Sequence, residues 1–450
     1  MNITRLLAEN VVRTAAAPLD APVQLMAKQS LLNVLGTTIG ASQGSAVKIF
    51  LEYAAGLGGT GVVPIPGCNV LLDPLRAATA IGIAAHVDDF DDTHLETVIH
   101  CGAASLAAAI ATAAPRVQAI TGKQFISAFA IGCEVQLRIG LAMSPWHYDH
   151  GWHITGTVGA IGAAVTSALL NESAGDVDCM EQAITIAANM TLGDREAFGS
   201  MIKAFHPGKA ASNGVLAAKM AALGRTGPED LLGRSGGYFA VLSPRYETSI
   251  VNVDFGTKWH LLDNTFKPYP CGIVCHPAID CAVALSPEVK ERLSDIAAIN
   301  IYCNPLVKEL TGNQYPTTGL QARFSTVHGV VAGLCDGQAA LEQYSDSRVN
   351  SSDLKQLRSV AKLVVEPTRF RDSARVEVEF FDGTKVSEQV AHARGSRARP
   401  LTFIELAEKV HGLVEPVLPG AIDTITNTVM GLAAADNIES LINSFVVFSA

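Results

Sequence analysis

The sequence predicts a mainly α protein. A large all-helical domain is built from both chain ends, over residues 1–265 and 396–450, and a smaller α+β domain spans 266–395. Three observations predict this. Apolar and Ala/Gly-rich runs recur at helical spacing through roughly the first 260 residues. After Pro268 the runs turn β-branched and aromatic, with period-two alternation. From Thr402 the helical character returns, so the tail is expected to pack back on the N-terminal bundle.

Leu6, Leu7, Val11 and Val12 form one helical stripe, and Ala21–Ile39 forms another with Pro22 near its start. Helical runs follow at Ala77–Ala85, Ala103–Ala114, Phe125–Met143, Ile154–Leu170, Ala183–Met190 and Ala210–Leu223. Their small side chains let helices approach closely. Strands are expected at Ile296–Cys303, Lys362–Glu366 and Ala374–Phe381. Asp382-Gly383 then turns the chain into Lys385–Val390. Helices at His276–Ala284 and Val327–Leu334 lie between them. Thr402 followed by Glu405 is a capping-box signature for the last helical stretch.

The 450 residues are 48% hydrophobic and only 17% charged, which implies a large core. A net charge of −10 without clustered Lys and Arg argues against a nucleic-acid partner. No secretory signal or membrane span is expected, because the uncharged run after His153 is interrupted by Gly156, Gly159 and Gly162. Nine scattered cysteines fit a reducing cytoplasm better than a disulfide framework. Cys271, Cys275 and His276 lack the second ligand pair of a zinc site, so no metal is expected. No Rossmann fingerprint, phosphate loop or Gly-x-Ser-x-Gly turn occurs.

Four segments carry chemistry. Asp88-Asp89-Phe90-Asp91-Asp92-Thr93 crowds four carboxylates and leads to His100 at the start of a small-residue helix. A solvated acidic turn would explain the carboxylates. It would not explain His100, which faces any anion held at that helix start. Tyr148-Asp149-His150-Gly151-Trp152-His153 places titratable groups at the mouth of an apolar helix, where burial is costly without a partner. Lys203 lies in an apolar stretch that also holds His206 and Lys209; burial there would lower its pKa. Lys267-Pro268-Tyr269-Pro270 runs to His276-Pro277, a rigid approach to a helix N-terminus.

Taken with the N-terminal run TRLLAENVV and the later QARFS, these segments resemble the MmgE/PrpD family over nearly the whole chain. The resemblance implies a homodimer, a cleft between the two domains, and no metal or organic cofactor. It places Asp89, Thr93, His100, His153, Lys203 and His276 in that cleft. The family's activities share removal of a proton beside a carboxylate of a small di- or polycarboxylic acid. Lys203 and His153 are then the leading acid/base candidates, with Tyr148 as a second proton donor. His100, His276 and Lys267 would bind carboxylates, with Lys209 and Arg323 in the same role, and Asp89 and Thr93 would orient His100 or the substrate. The Pro-Ser usual after the family's histidine is Cys101-Gly102 here, and His328 stands where a tyrosine is frequent. The 2-methylcitrate dehydratases resemble it less, with Asn-Asp-Thr where this chain has Asp91-Asp92-Thr93, and the decarboxylases place their histidine one residue closer to the threonine than His100 lies from Thr93, so by elimination the chain resembles the shorter, iminodisuccinate epimerase-like members. A non-catalytic polycarboxylate binder is disfavoured, because unused buried charges cost stability.

Overall fold

A computed structural model describes residues 2–447. The helical region begins with Ile3–Ala15 and Ala21–Ala41, the second with its proline in the first turn as the sequence suggests. At its centre lie Pro74–His86, Cys101–Ala113, Gly122–Met143, Ile154–Leu169 and Ile202–Ala222. Their glycines set the spacing. A Cβ on Gly82 would sit 2.5 Å from the Cα of Gly208, and one on Gly214 would sit 2.5 Å from Ala163. Backbones this close bury a continuous Ala- and Gly-lined core. The small-residue stripes therefore work as read from the sequence.

The tail closes the same core. Thr402 caps Phe403–Val414 through a capping box with Glu405, and Val410 and Leu413 pack on Gly36 and Gly40 of Ala21–Ala41. Ile425, Val429, Leu432 and Phe445 belong to the same apolar cluster as Leu7 and Phe125. Among the described residues the helix with span-like length and hydropathy is Gly122–Met143 rather than the run after His153, and 94% of its most apolar window is buried inside the protein. Within it Arg138 donates to Glu134 at 2.7 Å and to the carbonyls of Ile250, Val253, Asp254 and Lys258. That guanidinium pins the 250–258 loop from inside the core.

The α+β part holds a four-stranded sheet in the order Ala361–Val365, Ile296–Cys303, Ala374–Phe380, Lys385–Val390. The first pair is parallel and the other two are antiparallel. Alternate residues of Ala374–Phe380 are buried, against helices His276–Val289 and Thr326–Asp336. The hairpin turns through Phe381-Asp382-Gly383, with Gly383 at φ 83°, a conformation glycine reaches without strain. Two short ladders escape the sequence reading, Val63–Pro64 with Leu71–Leu72 and Thr93–His94 with Asn264–Thr265. The second matters here. It ties the acidic turn to the chain entering Lys267.

Candidate active site

One cavity opens where the helical part meets the α+β part. Asp89, Thr93, His100, Tyr148, His153, Lys203 and Lys267 line its polar side. Val98, Phe198, Ile273, Val274, Leu310 and Phe324 line the apolar side, with Thr311 and the backbone at Gly272. Each polar group has a local reason to be there. His100 and His153 are the residues that begin helices Cys101–Ala113 and Ile154–Leu169, and the backbone N–H of His100 donates to Thr155 Oγ1, holding the two starts together. Lys203 sits in the first turn of Ile202–Ala222. Lys267 follows the short strand that pairs with Thr93–His94.

The four carboxylates do not share one environment. Asp88 is held by Arg323, through Nη2 to Oδ1 at 2.9 Å and Nη1 to the Asp88 carbonyl. Asp89, at φ 50°, takes Lys203 Nζ on Oδ1 at 2.6 Å and Lys267 Nζ on Oδ2 at 2.9 Å. Asp91 accepts from His86 Nδ1 at 2.8 Å, and its other oxygen lies 3.1 Å from His100 Nδ1. Asp92 accepts from Ser30, Asn264 and the Gly102 N–H. The solvated acidic turn is thus replaced by four separately paired, largely buried groups. Gly102 is part of the reason, since a Cβ there would lie 2.6 Å from Asp92 Oδ1.

Charge follows from these contacts. Burial pushes the Asp89 carboxyl up, but Lys203 and Lys267 hold it well below the usual carboxylate range. Burial lowers Lys203 from its ordinary value; Asp89 opposes this and Lys267 adds to it. Burial, then Lys203 and the neighbouring histidines, keep His153 far below its ordinary value and so neutral. Its Nδ1 is 2.9 Å from His206 Nδ1, leaving Nε2 without a protein partner among the described residues. Tyr148 is raised by burial, although the Arg195 guanidinium stacked 4.3 Å above its ring opposes the shift.

Three expected carboxylate binders stand elsewhere. His276 does not line the cavity; its Nε2 donates to the Cys271 carbonyl at 3.3 Å, the same carbonyl that takes Lys267 Nζ at 3.1 Å. It therefore backs Lys267, and burial followed by Lys267 lowers it to about 3. Arg323 is committed to Asp88, away from the cavity. Lys209 is half-buried further along its helix and does not reach the lining. His328 is buried between the Gln343 carbonyl and Arg358, also off the cavity.

The sequence reading missed His86. It ends helix Pro74–His86, is fully buried, and bridges Lys203 and Asp91. A lone titratable residue closing an Ala-rich helix just before four aspartates was the available signal. His86, Asp89 and His100 also bring three donor atoms within 4.8 Å of one another, as a metal site would. Lys203 Nζ already lies between two of them, 2.7 Å from His86 Nε2 and 2.6 Å from Asp89 Oδ1. An ammonium thus fills the place of a cation, and the geometry does not suit a metal beside it.

The cavity can therefore hold an acidic molecule against ammonium and imidazole groups while offering neutral nitrogen bases. Residues 5–250 match the MmgE/PrpD N-terminal domain, and residues 269–430 match the MmgE/PrpD C-terminal domain. The chain belongs to the MmgE/PrpD family. It is 27% identical to a cis-aconitate decarboxylase of Aspergillus terreus, across 85% of this chain and 83% of that protein. The human cis-aconitate decarboxylase is 28% identical, across 76% and 73%. A cis-aconitate decarboxylase-like protein of Aspergillus oryzae is 26% identical across 98% and 96%. These relatives are enzymes, so an MmgE/PrpD chain with this cavity is an enzyme of carboxylic-acid metabolism. The family's C-terminal match includes helix Phe403–Val414 and reaches residue 430 in Ile422–Gly431, and both helices pack on the N-terminal bundle.

Proposed function

We propose that this MmgE/PrpD protein removes a proton from a carbon next to a carboxylate of a small di- or polycarboxylic acid, and that its reaction is an epimerisation of the iminodisuccinate epimerase kind. One observation carries the reading. Lys203, His153 and Tyr148 line the same cavity as Lys267 and His100. A proton next to a carboxylate is weakly acidic, so its removal needs a placed base and preorganised positive charge for the oxygens. Lys203, with its lowered pKa, and neutral His153 are the bases. His100 holds carboxylate oxygens, and Lys267 adds its positive charge at the cavity wall while its three N–H bonds go to Asp89 Oδ2 and the Asp89 and Cys271 carbonyls. Asp89 fixes both lysines, and Thr93 Oγ1, 3.1 Å from His100 Nδ1, sets that ring. Tyr148, kept protonated, donates from the other side as an epimerase requires.

Decarboxylation is the second reading, favoured by the names of the relatives. Incubation with iminodisuccinate, 2-methylcitrate and cis-aconitate in deuterated water separates the two. Epimerisation incorporates deuterium without a new alkene or loss of carbon dioxide. A product lacking one carboxylate replaces the epimerase reading with the decarboxylase one. The homodimer that the family implies is tested by light scattering on the purified chain.

A further inference from the structure

We propose that His86 is the positioning residue for Lys203; this rests on the reading of Lys203 as an acid/base group. An ammonium has three N–H bonds and accepts none. Two of Lys203's point at Asp89 Oδ1 and His86 Nε2, at 2.6 and 2.7 Å. The third is left for the cavity, where Nζ also lies 5.3 Å from the ring centres of Phe198 and Phe324. Because Lys203 donates, His86 Nε2 must accept, and the imidazole proton sits on Nδ1. That proton is donated to Asp91 Oδ2 at 2.8 Å. The far oxygen of Asp91 lies 3.1 Å from His100 Nδ1, though off the line of a good hydrogen bond. Lys203, His86, Asp91 and His100 therefore form one row, with the cavity at both ends.

His86 is not itself a cavity residue, and its side chain is fully buried. It cannot touch a substrate and acts only through Lys203. A buried neutral imidazole has one donor and one acceptor to satisfy, and His147 meets both with the Leu242 carbonyl and the Thr157 hydroxyl. This ring instead spends both nitrogens on titratable side chains.

The test uses the full chain labelled with ¹⁵N-lysine, with the Lys203 Nζ signal assigned by its loss in Lys203→Met. His86→Asn keeps a donor near the Nδ1 position and loses the acceptor. His86→Gln reaches further and keeps an acceptor for Lys203. Loss of the acceptor destabilises the ammonium, so His86→Asn should lower the Lys203 midpoint by about one pH unit, while His86→Gln leaves it within a few tenths. An unmoved midpoint in His86→Asn, or equal shifts in both variants, overturns the proposal. Should neither variant fold, ¹⁵N-histidine spectra of the wild type decide: His86 protonated on Nδ1 supports the proposal, and protonation on Nε2 overturns it. Whether Lys203 works on substrate is read separately, by assaying deuterium exchange into iminodisuccinate with Lys203→Met. Retained exchange there sinks the functional reading and leaves the NMR result standing.

Discussion

Replacing Asp89 with Asn removes the carboxylate that Lys203 and Lys267 share, at 2.6 and 2.9 Å. All three side chains are buried, with 4, 7 and 1% exposure for Asp89, Lys203 and Lys267. Breaking a buried ion pair from one side costs about 3–5 kcal/mol. A ceiling exists, because one lysine can lose its proton instead. Neutralising a lysine of ordinary pKa at pH 7 takes about 3.4 units, or about 4.6 kcal/mol. The variant should therefore unfold about 3–5 kcal/mol more easily near pH 7, measured by urea unfolding with far-UV circular dichroism. The pH dependence has a definite sign. In the wild type the Asp89 carboxyl is depressed, so its stabilisation is present above about pH 4, the unfolded value, and fades as pH falls further. In Asp89→Asn a folded lysine becomes neutral while its unfolded form still binds a proton, so folding strengthens as pH rises. The deficit should shrink between about pH 7 and pH 10, by up to about 1.4 kcal/mol per unit. A deficit under about 1 kcal/mol at pH 7, or one that does not change with pH, would refute the electrostatic account.

Lys203→Ala and His153→Ala should each lower turnover about 10²–10⁴-fold while the circular dichroism spectrum is kept; near-full activity in both removes them as acid/base groups. His153 is held neutral far below its ordinary value, so kcat/KM should not fall between about pH 7.5 and pH 6 on its account, and a limb near pH 6.5 that vanishes in His153→Ala would contradict this. Gly102→Ala should cost about 1–3 kcal/mol in urea unfolding, since its Cβ would meet Val34 at 2.5 Å and Asp92 at 2.6 Å. Arg138→Met should cost about 3–5 kcal/mol by leaving buried Glu134 unpaired, and adding Glu134→Gln should recover part of that.

Much of the fold is legible because its signals are local. Helical stripes, Ala/Gly runs, the Thr402–Glu405 capping box and the alternation of Ala374–Phe380 need no knowledge of partners. The ends drift where a proline or glycine acts late: His276–Val289 runs past Ala284, with Pro287 tolerated in its last turn. The cavity residues Asp89, His100, Tyr148, His153, Lys203 and Lys267 stand out in the sequence as titratable groups set beside apolar runs, whereas Thr93 comes only from the family resemblance. The pairing of charges was not. Which base meets which of the four aspartates depends on the Thr93–His94 ladder with Asn264–Thr265 and on the left-handed backbone at Asp89, neither of which has a local signature. Arg323 and His276 were misplaced for that reason, since each is taken up by a neighbour that only the tertiary fold brings near. His86 was passed over because a histidine ending an alanine helix looks like ordinary core.

The most direct measurement is a crystal structure of the protein with a bound polycarboxylate such as citrate or cis-aconitate. The account predicts carboxylate oxygens about 3 Å from the His100 ring, on the side of the cavity that carries the Lys267 charge, with a carbon of the acid facing Lys203 or His153. Binding instead against Lys209 or Arg323, with Lys203 and His153 untouched, would contradict it.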